Sequence, residues 1–268
     1  MLSAKGFKHD IQGDGEPVLF IHGAHIADSY LSLGAEPALA LFRRVTYRRR
    51  GYDGSPRHTG PFSIKEQAQD ALDLLSDLGI ERAHVVGHSS GGLIALQMAL
   101  TDPGAVRSLV LLEPALMMVP SAPGFFEAVA PAIDKYNAGD AAGAVGAFIN
   151  LVAEPDWRTE VPRMVPGGLE QAEKDAATFF EIELPSLGAW SFDRGEASEI
   201  TQPVLFVIGT ESGSLFQEGK KLCQAWIPQT KEFSVQGANH LLQFQDPSCS
   251  AQIARGMAEF LPRDRIAA

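Results

Sequence analysis

The chain has 268 residues, 45% hydrophobic and 21% charged, the proportions of an ordinary globular protein. They exclude a disordered or fibrous chain and suit one large α/β domain, with or without an inserted subdomain. A formal charge of −11 repels nucleic-acid backbones and anionic lipid surfaces on average, so neither is expected as a partner. Two cysteines, Cys223 and Cys249, supply no disulfide framework and are expected on late helices as packing residues. The first residues lack a charged stretch followed by an apolar one, and no run approaches the length of a membrane span. The expectation is a cytoplasmic monomer or homodimer that acts on a small molecule.

Short apolar runs punctuated by glycine and proline alternate with helical patterns, which predicts a mostly parallel, doubly wound sheet covered on both faces. Strands are predicted at 18–22 and 45–48; the second runs into Arg48, Arg49 and Arg50, read as a solvated or locally paired strand end. An amphipathic helix over 64–78, a strand over 83–87, a helix rich in small residues over 91–101 and a strand over 109–113 follow. From 119 to 201 the alternation breaks. Helical patterns at 125–138, 141–152 and 169–187 stand among prolines at 120, 123, 155, 162, 166, 185 and 203. This stretch is predicted to be a helical cap, 119–201, inserted into a core of 1–118 and 202–268, covering the carboxyl edge of the sheet and excluding water there. Strands at 204–208 and 232–235 and a helix at 248–260 complete the series.

Gly87-His88-Ser89-Ser90-Gly91 fits G-x-S-x-G, and it lies between an apolar strand and a helix, where that pattern has chemical meaning. An abrupt strand-to-helix turn forces the central serine into strained backbone and lifts its hydroxyl above the sheet; only small neighbours tolerate the crowding. Ser89 is therefore the candidate nucleophile. An apolar strand ending in His22-Gly23-Ala24 and a late loop, Gly237-Ala238-Asn239-His240, accompany it. A serine hydroxyl is a poor nucleophile at neutral pH and needs a neutral imidazole within reach, and His240 is the candidate base.

These motifs together resemble the α/β-hydrolase fold superfamily, in its serine-nucleophile branch with a helical cap, over residues from about 15 to 262. The resemblance implies an oxyanion hole formed by the backbone N–H groups of Ala24 and Ser90, a structural role for His22, and His25 and His88 lining or packing around the site. The commonest position for the family's acid is three residues after the glycine ending the strand that follows the cap, and Ser212 stands there. Glu211 comes one residue early. Glu113, at the end of the strand after the nucleophile's helix, is the alternative and the preferred acid, because some lactonases, haloalkane dehalogenases and coelenterazine luciferases of this fold carry theirs there. An ionised carboxylate at a buried strand end is also costly unless paired.

The implied function is hydrolysis of a carboxylic ester or lactone of a small, largely apolar substrate through an acyl-enzyme. Hydrolysis of a carbon–carbon bond in a ring-cleavage product is the alternative within enzymes, and a slow-turnover small-molecule sensor the alternative outside them; a cofactor-free lyase or oxygenase also belongs to the range of this fold. A serine in the elbow argues against dehalogenase and epoxide hydrolase chemistry, which needs an aspartate nucleophile. No phosphate loop, dinucleotide fingerprint or metal-ligand pattern is present, so no cofactor and no metal are expected. His25, Met117, Trp157, Phe179, Phe180 and Trp190, with Met118 and Phe192, are the residues expected to line an apolar pocket.

Overall fold

The computed structural model describes residues 1–58, 60–153 and 157–261; Pro155, one of the prolines of the predicted cap, lies outside them. Among the described residues seven strands form one sheet in the order β1-β3-β2-β4-β5-β6-β7. They are β1 His9–Gln12, β2 Glu16–Ile21, β3 Phe42–Tyr47, β4 Ala83–His88, β5 Val106–Leu112, β6 Val204–Gly209 and β7 Thr230–Val235. Every pairing is parallel except that of β1 with β3. Strand β1 was absent from the sequence reading because His9, Asp10 and Gln12 hide the period-2 signal.

The central strands are apolar throughout because both faces are covered, and their side chains alternate between two cores. Leu19, Ile21, Val85, Leu109, Leu111, Phe206 and Ile208 join one cluster. Val18, Phe20, Val86, Val110, Leu112, Leu205 and Val207 join the other. The first face is covered by α2 (Ile64–Asp77), α3 (Ser90–Thr101) and α10 (Ser214–Trp226), and the second by α1 (Leu31–Gly34) and α11 (Pro247–Phe260). Helix α2 starts in a capping box, Ser63 with Glu66, and α11 starts where Asp246 accepts the N–H groups of Ser248 and Cys249 at 2.7 and 3.0 Å.

Between β5 and β6 the chain makes the helices α4 Ala122–Asn137, α5 Ala141–Val152, α6 Trp157–Met164 and α7 Gly168–Lys174, a π-helical turn Thr178–Glu183, then α8 Leu184–Ala189 and α9 Arg194–Glu199. The single helix expected over 169–187 is thus three pieces. A π turn carries an extra residue, so it breaks the 3.6-residue period on which that expectation rested. A third cluster, including Phe148, Trp157, Phe179 and Phe180, packs this helical segment onto Ile26, Leu241 and Phe244 of the strand loops. Among the described residues no helix is long and apolar enough to cross a membrane.

Candidate active site

The sheet register aligns the strand ends that hold the site. His88 pairs with Leu112, and Leu112 with Val207. One residue further, Ser89 N–H donates to Leu112 O at 3.0 Å and Glu113 N–H to Val207 O at 3.2 Å. Ser89 and Glu113 therefore leave neighbouring strands at the same carboxyl edge.

Ser89 caps α3 at φ 53° and ψ −121°. The close turn depends on Gly87 and Gly91: a Cβ on Gly87 would lie 2.3 Å from Gly91 O, and one on Gly91 2.2 Å from Ile21 O. Ser90 opens the helix, where a backbone N–H has no intrahelical acceptor. Four non-glycine residues among those described have positive φ: His25, Asp53, Ser89 and Glu113. Three of them lie in this site, and such strain persists only where the surrounding structure imposes it.

His240 sits in the loop between β7 and α11, 4% exposed, with its ring stacked on Phe216 at 3.8 Å and 9°. Its Nδ1 is 2.7 Å from Glu113 Oε2. His88 Nε2–H donates to the His240 carbonyl at 2.9 Å, fixing the loop that carries the imidazole. Glu113 is wholly buried; its other oxygen accepts the Gly209 N–H at 2.7 Å and the hydroxyl of Ser212. Burial pushes the Glu113 carboxyl up, while the Ser212 hydroxyl and Gly209 N–H hold it down. Burial pushes His240 down, to about 3, which leaves a neutral imidazole at rest. Glu211 is exposed, accepts a 3.3 Å hydrogen bond from Thr210, and borders an outer cleft. Of the two candidate acids, Glu113 is the one against His240.

The cavity over Ser89 measures about 30 Å³ and is lined by Ala24, His25, His88, Ser89, His240 and, on its apolar wall, Phe148 and Phe244 among others. That is far below the roughly 300–1,000 Å³ of a drug-sized ligand site. The expected pocket residues divide. His25 lines the cavity; Phe179 and Phe180 stand behind it, with ring centroids 4.3 and 5.7 Å from the His25 ring. Trp157, Met117, Met118, Trp190 and Phe192 are elsewhere. Trp157 borders the outer cleft and donates to Asn150 Oδ1 at 2.7 Å. Met117 and Met118 pack on the core beside the first face of the sheet. Trp190 stacks on Phe192 at 5.4 Å and donates to Gln97 Oε1 at 2.9 Å. Apolar side chains in this segment were equally suited to packing it down, and for these five packing prevailed. Phe148, Phe244, Ile149 and Val152, which do line the cavity, carried no distinguishing sequence signal.

Beneath the elbow lies a buried polar network that the sequence reading missed. Arg48 pairs with Asp10, Asp28 and Asp53 near the surface, and Arg50 is held by both oxygens of Asp70. Arg49, by contrast, is 2% exposed. It donates to Glu183 Oε1 at 2.6 Å, Gly23 O at 2.9 Å and Gln67 Oε1 at 2.7 Å. The hydroxyls of Ser90 and Tyr52 also donate to Glu183, which ends the π turn. His22 completes the frame: its Nε2 accepts the Arg49 N–H at 3.0 Å and its Nδ1–H donates to Gly23 O at 2.7 Å. Among the described residues no group of three or more His, Cys, Asp or Glu is arranged to hold a metal ion.

The family model of the alpha/beta hydrolase fold matches residues 16–247, and the chain belongs to that family. Its curated relatives include the RutD protein of Azorhizobium caulinodans, 36% identical over 105 residues; the match spans 39% of this chain and only 40% of that protein. Solved structures with the same fold include the enol-lactonase of Burkholderia xenovorans LB400, with a TM-score of 0.77, 20% identity and coverage of 95% of each chain. Another is a thermophilic esterase of Thermogutta terrifontis, with a TM-score of 0.77, 19% identity and coverage of 94% of this chain and 93% of that one.

Proposed function

We propose that this chain is a serine hydrolase that cleaves a carboxylic ester or lactone of a small, largely apolar substrate through an acyl-enzyme. The observation that carries the reading is the 2.7 Å pair of His240 Nδ1 and Glu113 Oε2 at the wall of the cavity that Ser89 shares. In the proposed mechanism Glu113 holds the Nδ1–H tautomer, which leaves Nε2 free to accept a proton. Ser89 Oγ attacks the carbonyl carbon as its proton passes to His240. The Ala24 and Ser90 N–H groups receive the negative charge that develops on the carbonyl oxygen. His240 then protonates the departing alkoxide, and water repeats the sequence on the acyl-enzyme to release the acid. Esterase and lactonase names among proteins of the same fold are consistent with this chemistry.

The test is mass spectrometry after exposure to a fluorophosphonate. Stoichiometric labelling of Ser89 in the wild type, and none in Ser89→Ala, is the expected result. Absence of label in the wild type would mean that the triad is unassembled or that the probe is kept out of the site, and moves the slow sensor of the same fold ahead.

Ser212 gives a separate expectation. The reaction needs Glu113 ionised, and burial raises its pKa, so activity falls on acidification at a pH nearer neutrality than an ordinary carboxylate would set. Removing the Ser212 hydroxyl takes away a donor that favours the carboxylate. Ser212→Ala should therefore move the acid limb of the kcat/KM profile upward by about one pH unit, measured between pH 5 and 9. An unmoved limb would show that another group governs it.

A further inference from the structure

Among the polar groups that line the cavity, His25 has no part in the proposed chemistry. It is 2% exposed, its ring is enclosed by Phe148, Phe179 and Phe180, and neither ring nitrogen has a hydrogen-bond partner among the described residues. Ser29, 1% exposed and on the same cavity wall, has an unpartnered hydroxyl. A buried polar atom without a partner is costly, and native chains rarely retain several in one place without a use.

The backbone is a second, independent observation. His25 has φ 62°, and Ile26 N–H donates back to Ala24 O at 2.7 Å, closing a tight turn around it. A three-residue turn with positive φ at its centre is rare and strained. A histidine is carried there at a cost in conformational energy, and the turn presents the ring beside Ala24, the proposed donor to the reacting carbonyl.

Burial pushes His25 down to about 4, so the ring is neutral at ordinary pH. A neutral imidazole offers one donor and one acceptor, and a hydroxyl group presents the complementary pair. A carboxylate only accepts and would need a cation to offset its burial.

We propose that His25, with Ser29 lining the same cavity, is a specificity-determining residue that recognises a hydroxyl group close to the reacting carbonyl of a short ester or lactone. The chemistry rests on the hydrolase reading above; the recognition does not. An apolar cage with two unsatisfied polar groups discriminates against an analogue that lacks the hydroxyl, because binding then leaves those groups buried and unpaired.

The experiment compares ethyl 3-hydroxybutanoate with ethyl butanoate and, for a hydroxyl on the alcohol side, 2-hydroxyethyl butanoate with propyl butanoate. Binding to Ser89→Ala by calorimetry reads recognition alone, and kcat/KM of the wild type reads turnover. A preference of about 10- to 100-fold for the hydroxylated member of either pair is expected. In a Ser89→Ala background His25→Phe, which keeps an aromatic ring, should abolish that preference, while His25→Asn, which tolerates positive φ and keeps a donor and an acceptor, should retain part of it. Equal handling of both members in both pairs, or a preference that survives His25→Phe, overturns the proposal. If Ser89→Ala discriminates while the wild type hydrolyses none of the four, recognition by His25 stands and the hydrolase reading falls. If all four are hydrolysed and bound alike, the hydrolase reading stands and the role of His25 falls.

Discussion

Glu113→Gln should lower kcat on a turned-over ester by about 10⁴-fold, whereas Glu211→Gln should stay within about threefold. The difference comes from what each side chain touches. Glu113 faces His240 Nδ1 and has two further donors on its other oxygen. An amide in its place can turn its NH₂ toward Nδ1, which stabilises the tautomer with the proton on Nε2, the wrong nitrogen for a base facing Ser89. In the proposed mechanism it also removes the negative charge that stabilises the imidazolium formed during attack. Glu211 is exposed and meets Thr210, not the imidazole. Burst kinetics on an activated ester separate this loss in chemistry from a loss in binding. A Glu211 variant as impaired as the Glu113 variant would refute the assignment of the acid.

The second large effect concerns stability. Arg49→Met should cost about 3–5 kcal/mol in denaturant unfolding, because it leaves the Glu183 carboxylate buried without its counter-charge. The Ser90 and Tyr52 hydroxyls that donate to Glu183 satisfy its lone pairs but supply no charge. The double variant Arg49→Met with Glu183→Gln should recover most of the loss, since a neutral amide can accept from one of those hydroxyls through its oxygen and donate to the other through its NH₂. Additive losses in the double variant would mean that the two residues contribute separately. The network joins the segment just after β3, the Ser90 side chain and the π turn, so the single variant is also expected to loosen the helical segment where it meets the elbow. Faster hydrogen exchange over Thr178–Glu183 would register that.

The relation between Ser212 and Glu113 explains why the acid was hard to read. The position after β6 where an aspartate is commonest holds a serine, and that serine donates to a carboxylate arriving from β5. The ends of two adjacent strands, β5 and β6, meet at the Glu113 carboxylate beside the imidazole. Spacing along the chain carries no information about which strand end supplies it.

The parallel sheet and the elbow at Ser89 were legible in the chain because each rests on local physics, whereas the His22-Gly23 turn and the histidine loop were legible through the family resemblance. Buried strands need continuous apolar runs, and the strand-to-helix turn needs Gly87 and Gly91, whose Cβ positions are occupied by backbone. Tertiary structure alone decided which carboxylate meets His240, which aromatic rings face the cavity, and that Arg49 is buried while Arg48 and Arg50 are paired at its flanks. Those outcomes depend on contacts between residues as far apart as Arg49 and Glu183. They depend also on a π turn that displaces the expected helical face, and neither effect leaves a periodic trace in the chain.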